Sequence, residues 1–152
     1  MTRPLILLVS FLAAFASRPL AAAPIDEALM APDTFEIYVQ STGGGGSQVP
    51  IRILADELNA VNYGLISLER DGDAVAVFQI HQVIAVLNRT RPGNRTFRIE
   101  LNEGGIDFRA DKIMPSQGNT ILVLVDGEVT GMISNNRMMA VVDLDAVVGG
   151  PS

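Results

Sequence analysis

The sequence predicts an α+β fold: a mainly antiparallel β-sheet with one or two short helices packed on it. Three observations carry that expectation. Several segments alternate apolar and polar residues with a period of two, as half-buried strands do. Asp71-Gly72 and Asp126-Gly127 lie between such segments and signal tight hairpins. From Glu103 to Met114 the period changes, because Ile106, Ala110 and Ile113 fall at i, i+4 and i+7, one helical stripe.

The elements follow in order. Thr34 to Gln40 places Phe35, Ile37 and Val39 on one face, and Val49 to Leu54 does the same with Val49, Ile51 and Ile53. Ala55 to Val61 has Leu58 and Val61 one helical turn apart and predicts two turns of helix. Asn62 to Arg70 and Ala74 to Ile80 form the arms of the first Asp-Gly hairpin. His81 to Asn88 fits a strand by β-branching and a short helix by length. Arg89 to Arg95 is a loop with a Pro-Gly turn. Thr96 to Asn102 alternates cleanly, with Phe97, Ile99 and Leu101 inward. The helix predicted over 103–114 stops at Pro115. Thr120 to Val125 is continuously apolar, as a strand covered on both faces would be. Glu128 to Ile133 returns from the second hairpin, and Met138 to Leu144 is the last strand. That makes about seven strands, with proline and glycine between them.

Composition sets the compartment. Arg3, an apolar run from Pro4 to Ala16 and the small residues Ala21-Ala22-Ala23 read as a secretory signal over residues 1–22. The run is about a dozen residues, short of the ~20 that span a bilayer. Cleavage is expected after Ala22, with no membrane insertion afterwards. Residues 23–33 read as a flexible lead-in and residues 34–148 as a single globular domain. The chain has 152 residues, a net charge of −6 and no cysteine. A small exported domain without disulfides points to a bacterial periplasmic or secreted protein. The acidic balance argues against nucleic acid as a partner.

Few residues here carry chemistry. His81 is the only imidazole, and no Gly-x-Ser-x-Gly elbow occurs. The carboxylates fall in local pairs, Asp56-Glu57, Asp71/Asp73, Asp107/Asp111 and Asp143/Asp145, which read as turn residues and solvated faces. A hydrolase using such pairs is the weakest reading. Met132, Met138 and Met139 read as core fillers, not as copper ligands. No cofactor or metal site is expected. Two features suit a protein partner. Gly43, Gly44, Gly45 and Gly46 form a loop with maximal backbone freedom. Arg89, Arg91, Arg95 and Arg98 form the one basic cluster on an acidic chain, a candidate dock for carboxylates or phosphates.

Two likenesses compete. Phe97-Arg-Ile-Glu-Leu-Asn-Glu-Gly-Gly-Ile-Asp-Phe108, then Gly118, then Ile121-Leu-Val-Leu-Val-Asp-Gly-Glu-Val129 resembles the head of the first periplasmic domain of the protein-export membrane protein SecD. That resemblance covers residues of about 97–133. It implies a strand leading into a short helix, and a non-enzymatic domain that contacts exported polypeptides or translocon components. Two departures stand against it: Thr130-Gly131-Met132-Ile133 lacks the family's proline, and Asp111 to Gln117 lacks its threonine. The other likeness is internal. Val49 to Leu87 and Phe97 to Leu144 each run strand, bend, long hairpin, strand, and each could close into a small twisted barrel of Sm-like shape. Few residues are identical between the two runs. The expectation is therefore an exported, non-enzymatic module that binds a polypeptide or an envelope component through an exposed sheet edge. The alternative is an adaptor or inhibitor of a single protein.

Overall fold

β-Strands follow one another along almost all of the described residues. The computed structural model describes residues 32–40, 49–61, 64–135 and 138–148. The predicted signal (1–22), all but the end of the lead-in, and Gly43 to Gly46 lie outside the described residues. The strands are β1 (Asp33–Val39), β2 (Ile51–Ala55), β3 (Glu57–Val61), β4 (Leu65–Arg70), β5 (Asp73–Gln79), β6 (Val83–Asn88), β7 (Arg95–Leu101), β8 (Gly105–Ala110), β9 (Lys112–Ser116), β10 (Thr120–Val125), β11 (Glu128–Ser134) and β12 (Met138–Asp143). Every pairing is antiparallel. The only helical pieces among the described residues are the 3-10 turns Ile80–Gln82 and Leu144–Ala146.

The α+β expectation is therefore corrected: the described chain is antiparallel β-sheet, and neither predicted helix forms. Ile106 and Ala110 of that stripe also fit a period of two once Phe108 is counted. In β8, Ile106, Phe108 and Ala110 are buried while Gly105, Asp107 and Arg109 are exposed. At Asp111 the chain turns a corner and resumes as β9, which resets the phase and leaves Ile113 partly buried. Ala55 to Val61 fails as a helix for the same reason. Its corner is Asp56, between β2 and β3. Pro115 lies within β9, at the edge of its sheet, where a missing N–H is tolerated.

The two corners make the chain a structural repeat. One constant step in numbering carries Asp56 to Asp111, Asp71 to Asp126 and Gly72 to Gly127. The Asp56 carboxylate accepts from the Asp71 N–H at 2.8 Å, and Asp111 accepts from the Asp126 N–H at 2.8 Å. Each corner residue also donates its own N–H to the second strand after it, Asp56 to Glu69 O in β4 and Asp111 to Leu124 O in β10. The same step maps the registers. Leu68↔Ala76 in β4–β5 becomes Val123↔Gly131 in β10–β11, and the bulge that follows is kept. Leu58↔Leu68 becomes Ile113↔Val123. Ile37↔Val86 in β1–β6 corresponds to Ile99↔Val141 in β7–β12, again with the same bulge; here β6 moves to β12 by that step, while β1 moves to β7 by seven residues more. Both hairpins use Asp-Gly with positive φ at both residues, 54° and 83° in the first, 52° and 81° in the second. Those angles match the strand twist and admit glycine freely. The strand, bend, hairpin, strand run expected from the sequence is present twice.

The halves meet along one seam. β6 of the first half pairs with β11 of the second, giving a six-stranded sheet in the order β2-β1-β6-β11-β10-β9. Two three-stranded sheets remain, β12-β7-β8 and β3-β4-β5. The cores interlock across the seam. The first core (Phe35, Ile37, Ala55, Ile66, Leu68, Val83, Val86) takes in Met132 from the second half. The second (Phe97, Ile99, Ile106, Phe108, Ala110, Val123, Ile133) takes in Tyr38, Ile84, Ala85 and Leu87 from the first. Phe97 and Phe108 stack in it with centroids 5.5 Å apart.

Candidate functional site

Two kinds of surface could act on something else: the polar clamp over the seam and the free edges of the small sheets. The clamp is built from the residues that follow β6. Asn88 ends the strand; its amide donates to Asp33 Oδ2 at 2.7 Å, and its carbonyl accepts from the Thr90 N–H at 2.9 Å. That turn aims Arg89 back over β1. Arg89 donates to Glu36 at 2.6 Å, to the Tyr38 hydroxyl oxygen at 2.8 Å and to the Asp107 carbonyl of the second half at 2.9 Å. Tyr38 donates to Glu36 at 2.9 Å, and Arg52 adds a bond at 3.0 Å. Glu36 is buried. Burial raises its carboxyl pKa, but the bonds from Arg89 and Tyr38, the Arg89 charge and the bond from Arg52 outweigh it and hold the pKa below the ordinary 4.5. Burial is also the leading reason that Tyr38 is raised.

Of the four arginines singled out in the sequence, Arg89 and Arg91 span the two halves and Arg95 and Arg98 lie on β7; each meets carboxylates of its own chain. Arg91 bridges Asp33 of the first half at 2.9 Å and Glu128 of the second at 2.8 Å. Arg95 pairs with Asp143 and covers the Phe97 ring at 5.5 Å. Arg98 lies along Gly105, between Glu100 at 3.3 Å and Asp107 at 3.6 Å. The cluster thus ties halves and strands together. Clefts of about 510 and 390 Å³ flank Arg91, lined by Asp33, Asp126 and Glu128 and by Asp33, Asp56 and Glu57. Asp33, Asp56 and Glu128 in them already accept hydrogen bonds. No group of three metal-binding side chains occurs among the described residues. His81 is exposed on the 3-10 turn before β6, away from these clefts. Asp143 and Asp145 shape the last turn: Asp143 accepts from the Asp145 N–H at 3.0 Å, and Asp145 from the Thr96 N–H at 2.9 Å.

The edges differ from the clamp. Among the described residues β5 pairs only with β4, and β12 only with β7. β5 carries Ala74-Val75-Ala76-Val77-Phe78 and β12 carries Met138-Met139-Ala140-Val141-Val142. Neither strand alternates apolar with polar residues, as a strand with one wet face does. Neither has the lysine, proline or short length that blunts natural edges. Val77 is 55% exposed, and its counterpart Met132 in β11 is 4% exposed. Met139 is 69% exposed, and its counterpart Ile84 in β6 is 3% exposed. The reading of Met139 as a core filler is corrected on that ground; Met132 is in the core, and Met138 is partly buried beside it. Sequence reasoning expected an exposed sheet edge but named no strand for it, although two apolar runs with no polar face were visible signals.

No family model, curated protein or solved structure matches this chain. The candidate site therefore rests on geometry, which offers an unpaired backbone ladder with apolar side chains on both faces. Such an edge can take up an extended strand, with main-chain bonds giving affinity and side-chain pockets giving selectivity.

Proposed function

We propose that this protein is an exported, non-enzymatic binding module of the bacterial envelope that captures a polypeptide as an added β-strand. The observation that carries this reading is the pair of open edges, β5 and β12, each apolar on both faces. The leader read in residues 1–22, the absence of cysteine and the acidic balance support an envelope location and a protein partner, not nucleic acid. The pairing of Arg89, Arg91, Arg95 and Arg98 with carboxylates of the chain itself favours contact through the sheet edges over contact through the arginine loop. The hydrogen bonds already made by Asp33, Asp56 and Glu128 in the clefts favour binding over hydrolysis.

The test is photo-crosslinking in intact cells with a reactive residue placed at Val75, at Val77 or, as a control away from β5 and β12, at Met114 in β9, an edge strand that Pro115 blunts. Adducts with a polypeptide from the two β5 positions but not from Met114 are expected. Equal adducts at all three positions, or none, would overturn the reading. Many partners would mark a general polypeptide binder, and one dominant partner an adaptor or inhibitor.

A further inference from the structure

We infer that the strand captured at β5 is β12 of a second copy, so that the chain assembles head to tail and repeats its own internal seam. This deepens the edge-binding reading and rests on it. The six-stranded sheet has the order β2-β1-β6-β11-β10-β9. Advancing each strand by half a chain gives β8-β7-β12, followed by β5-β4-β3 of the next copy. Those are the two three-stranded sheets that one chain leaves open. A single chain holds one whole sheet and the two halves of another.

The register follows. The seam pairs Gly131↔Leu87, Met132↔Val86 and Ile133↔Ala85. The same step predicts Ala76↔Val142, Val77↔Val141 and Phe78↔Ala140 between copies. The side chains fit this. Ala76 and Phe78 already lean on the first core, as Ile133 sits in the second. The second core is completed by Ile84, Ala85 and Leu87 from β6. Among the described residues the first core has nothing in their place; Met139, Ala140 and Val142 of the next copy would supply it. A heterologous contact of this kind propagates into a closed ring or an open fibre.

Two differences make the outer seam the weaker one. A Cβ on Gly131 would come within 2.7 Å of Val86 O, so the inner seam closes on a bare glycine. Ala76 stands at that place in β5, which holds the outer seam slightly wider. The place of Arg91, which clamps the inner seam, is taken by Ala146. Assembly is therefore expected to be reversible and to grow with concentration.

The absence of native cysteine allows a clean test. Directly opposed strand residues lie about 4.5–5.5 Å apart at Cα, within disulfide reach. The purified V77C/V141C protein, mildly oxidised, should give a ladder of reducible oligomers. V77C alone, V141C alone and the register-shifted V75C/V141C should stay monomeric on the same gel. Val77→Lys, at a position exposed in the single chain, should weaken self-association about tenfold or more while the circular dichroism spectrum is unchanged. A dimer from either single cysteine means like edges pairing with each other and overturns the proposal. So does a disulfide that closes within one chain, or a protein that stays monomeric at all concentrations. If the proposal fails while photo-adducts at Val77 contain a different protein, edge binding stands and self-assembly alone is lost.

Discussion

Glu36 is where a single substitution should be felt most. Its carboxylate is buried and gathers Arg89, Tyr38 and Arg52 around one pair of oxygens. Replacing it by glutamine leaves a partly buried guanidinium without its counter-charge. The cost is expected at about 2–3 kcal/mol, moderated because Arg89 is partly open to water. Urea unfolding of Glu36→Gln at neutral pH checks it, and a loss under about 0.5 kcal/mol would show that the network is ornamental. The sign with pH is fixed by direction. The folded carboxyl titrates below its ordinary 4.5, so its contribution is full above that value and is lost as the pH falls through the lower folded value. Asp111 acts in the same sense. The N–H groups of Asp126 and Asn94 hold its carboxyl below 3.8. Wild-type stability should thus fall on acidification below about pH 4.5, and Glu36→Gln should flatten that limb. A parallel fall in both proteins would assign the acid sensitivity elsewhere.

At the scale of elements, the seam strand β11 has no room at Gly131. Gly131→Ala forces a contact with Val86 O and with Val123 Cβ at 3.2 Å, and is expected to cost about 1–3 kcal/mol in thermal or urea unfolding. The reverse change at the matching place, Ala76→Gly, should let the outer seam close as the inner one does. Tighter self-association by sedimentation is expected, against a small loss of strand stability of about 0.5–1 kcal/mol. Weaker association would mean that Ala76 does not occupy the place of Gly131. Much of the strand pattern was legible in the sequence, because period-two burial and Asp-Gly turns are local signals. The alternation of Phe97, Ile99 and Leu101 and both hairpins are found where they were read. The corners were not legible. Asp56 and Asp111 bend a strand without proline or glycine, so each bend read as a change to helical period. The site was hidden for another reason. The fate of Arg91 depends on Asp33 and Glu128, far away in sequence, and a basic cluster looks the same whether its partners are internal or external. The edges were half visible, because the apolar runs were plain but only pairing shows which runs are left uncovered.

For the whole molecule, the interlocked cores decide how it comes apart. Each half borrows from the other, Met132 in one direction and Tyr38, Ile84, Ala85 and Leu87 in the other. A half opened at the seam would expose those side chains and unpair β6 from β11. The two halves should therefore unfold together, although each has its own hairpin and corner. Far-ultraviolet circular dichroism reports all strands, and near-ultraviolet circular dichroism reports the packing of aromatic rings such as Tyr38 at the seam. Coincident urea transitions by the two probes are expected. Separated transitions would mean that the halves are independent barrels that merely touch. Assembly adds a second signature to the same experiment. A contact made only by folded chains raises the melting temperature with protein concentration, by mass action. The melting temperature of wild type should climb with concentration, while that of Val77→Lys stays flat. A flat wild type beside coincident transitions would leave the seam as the only interface this repeat makes.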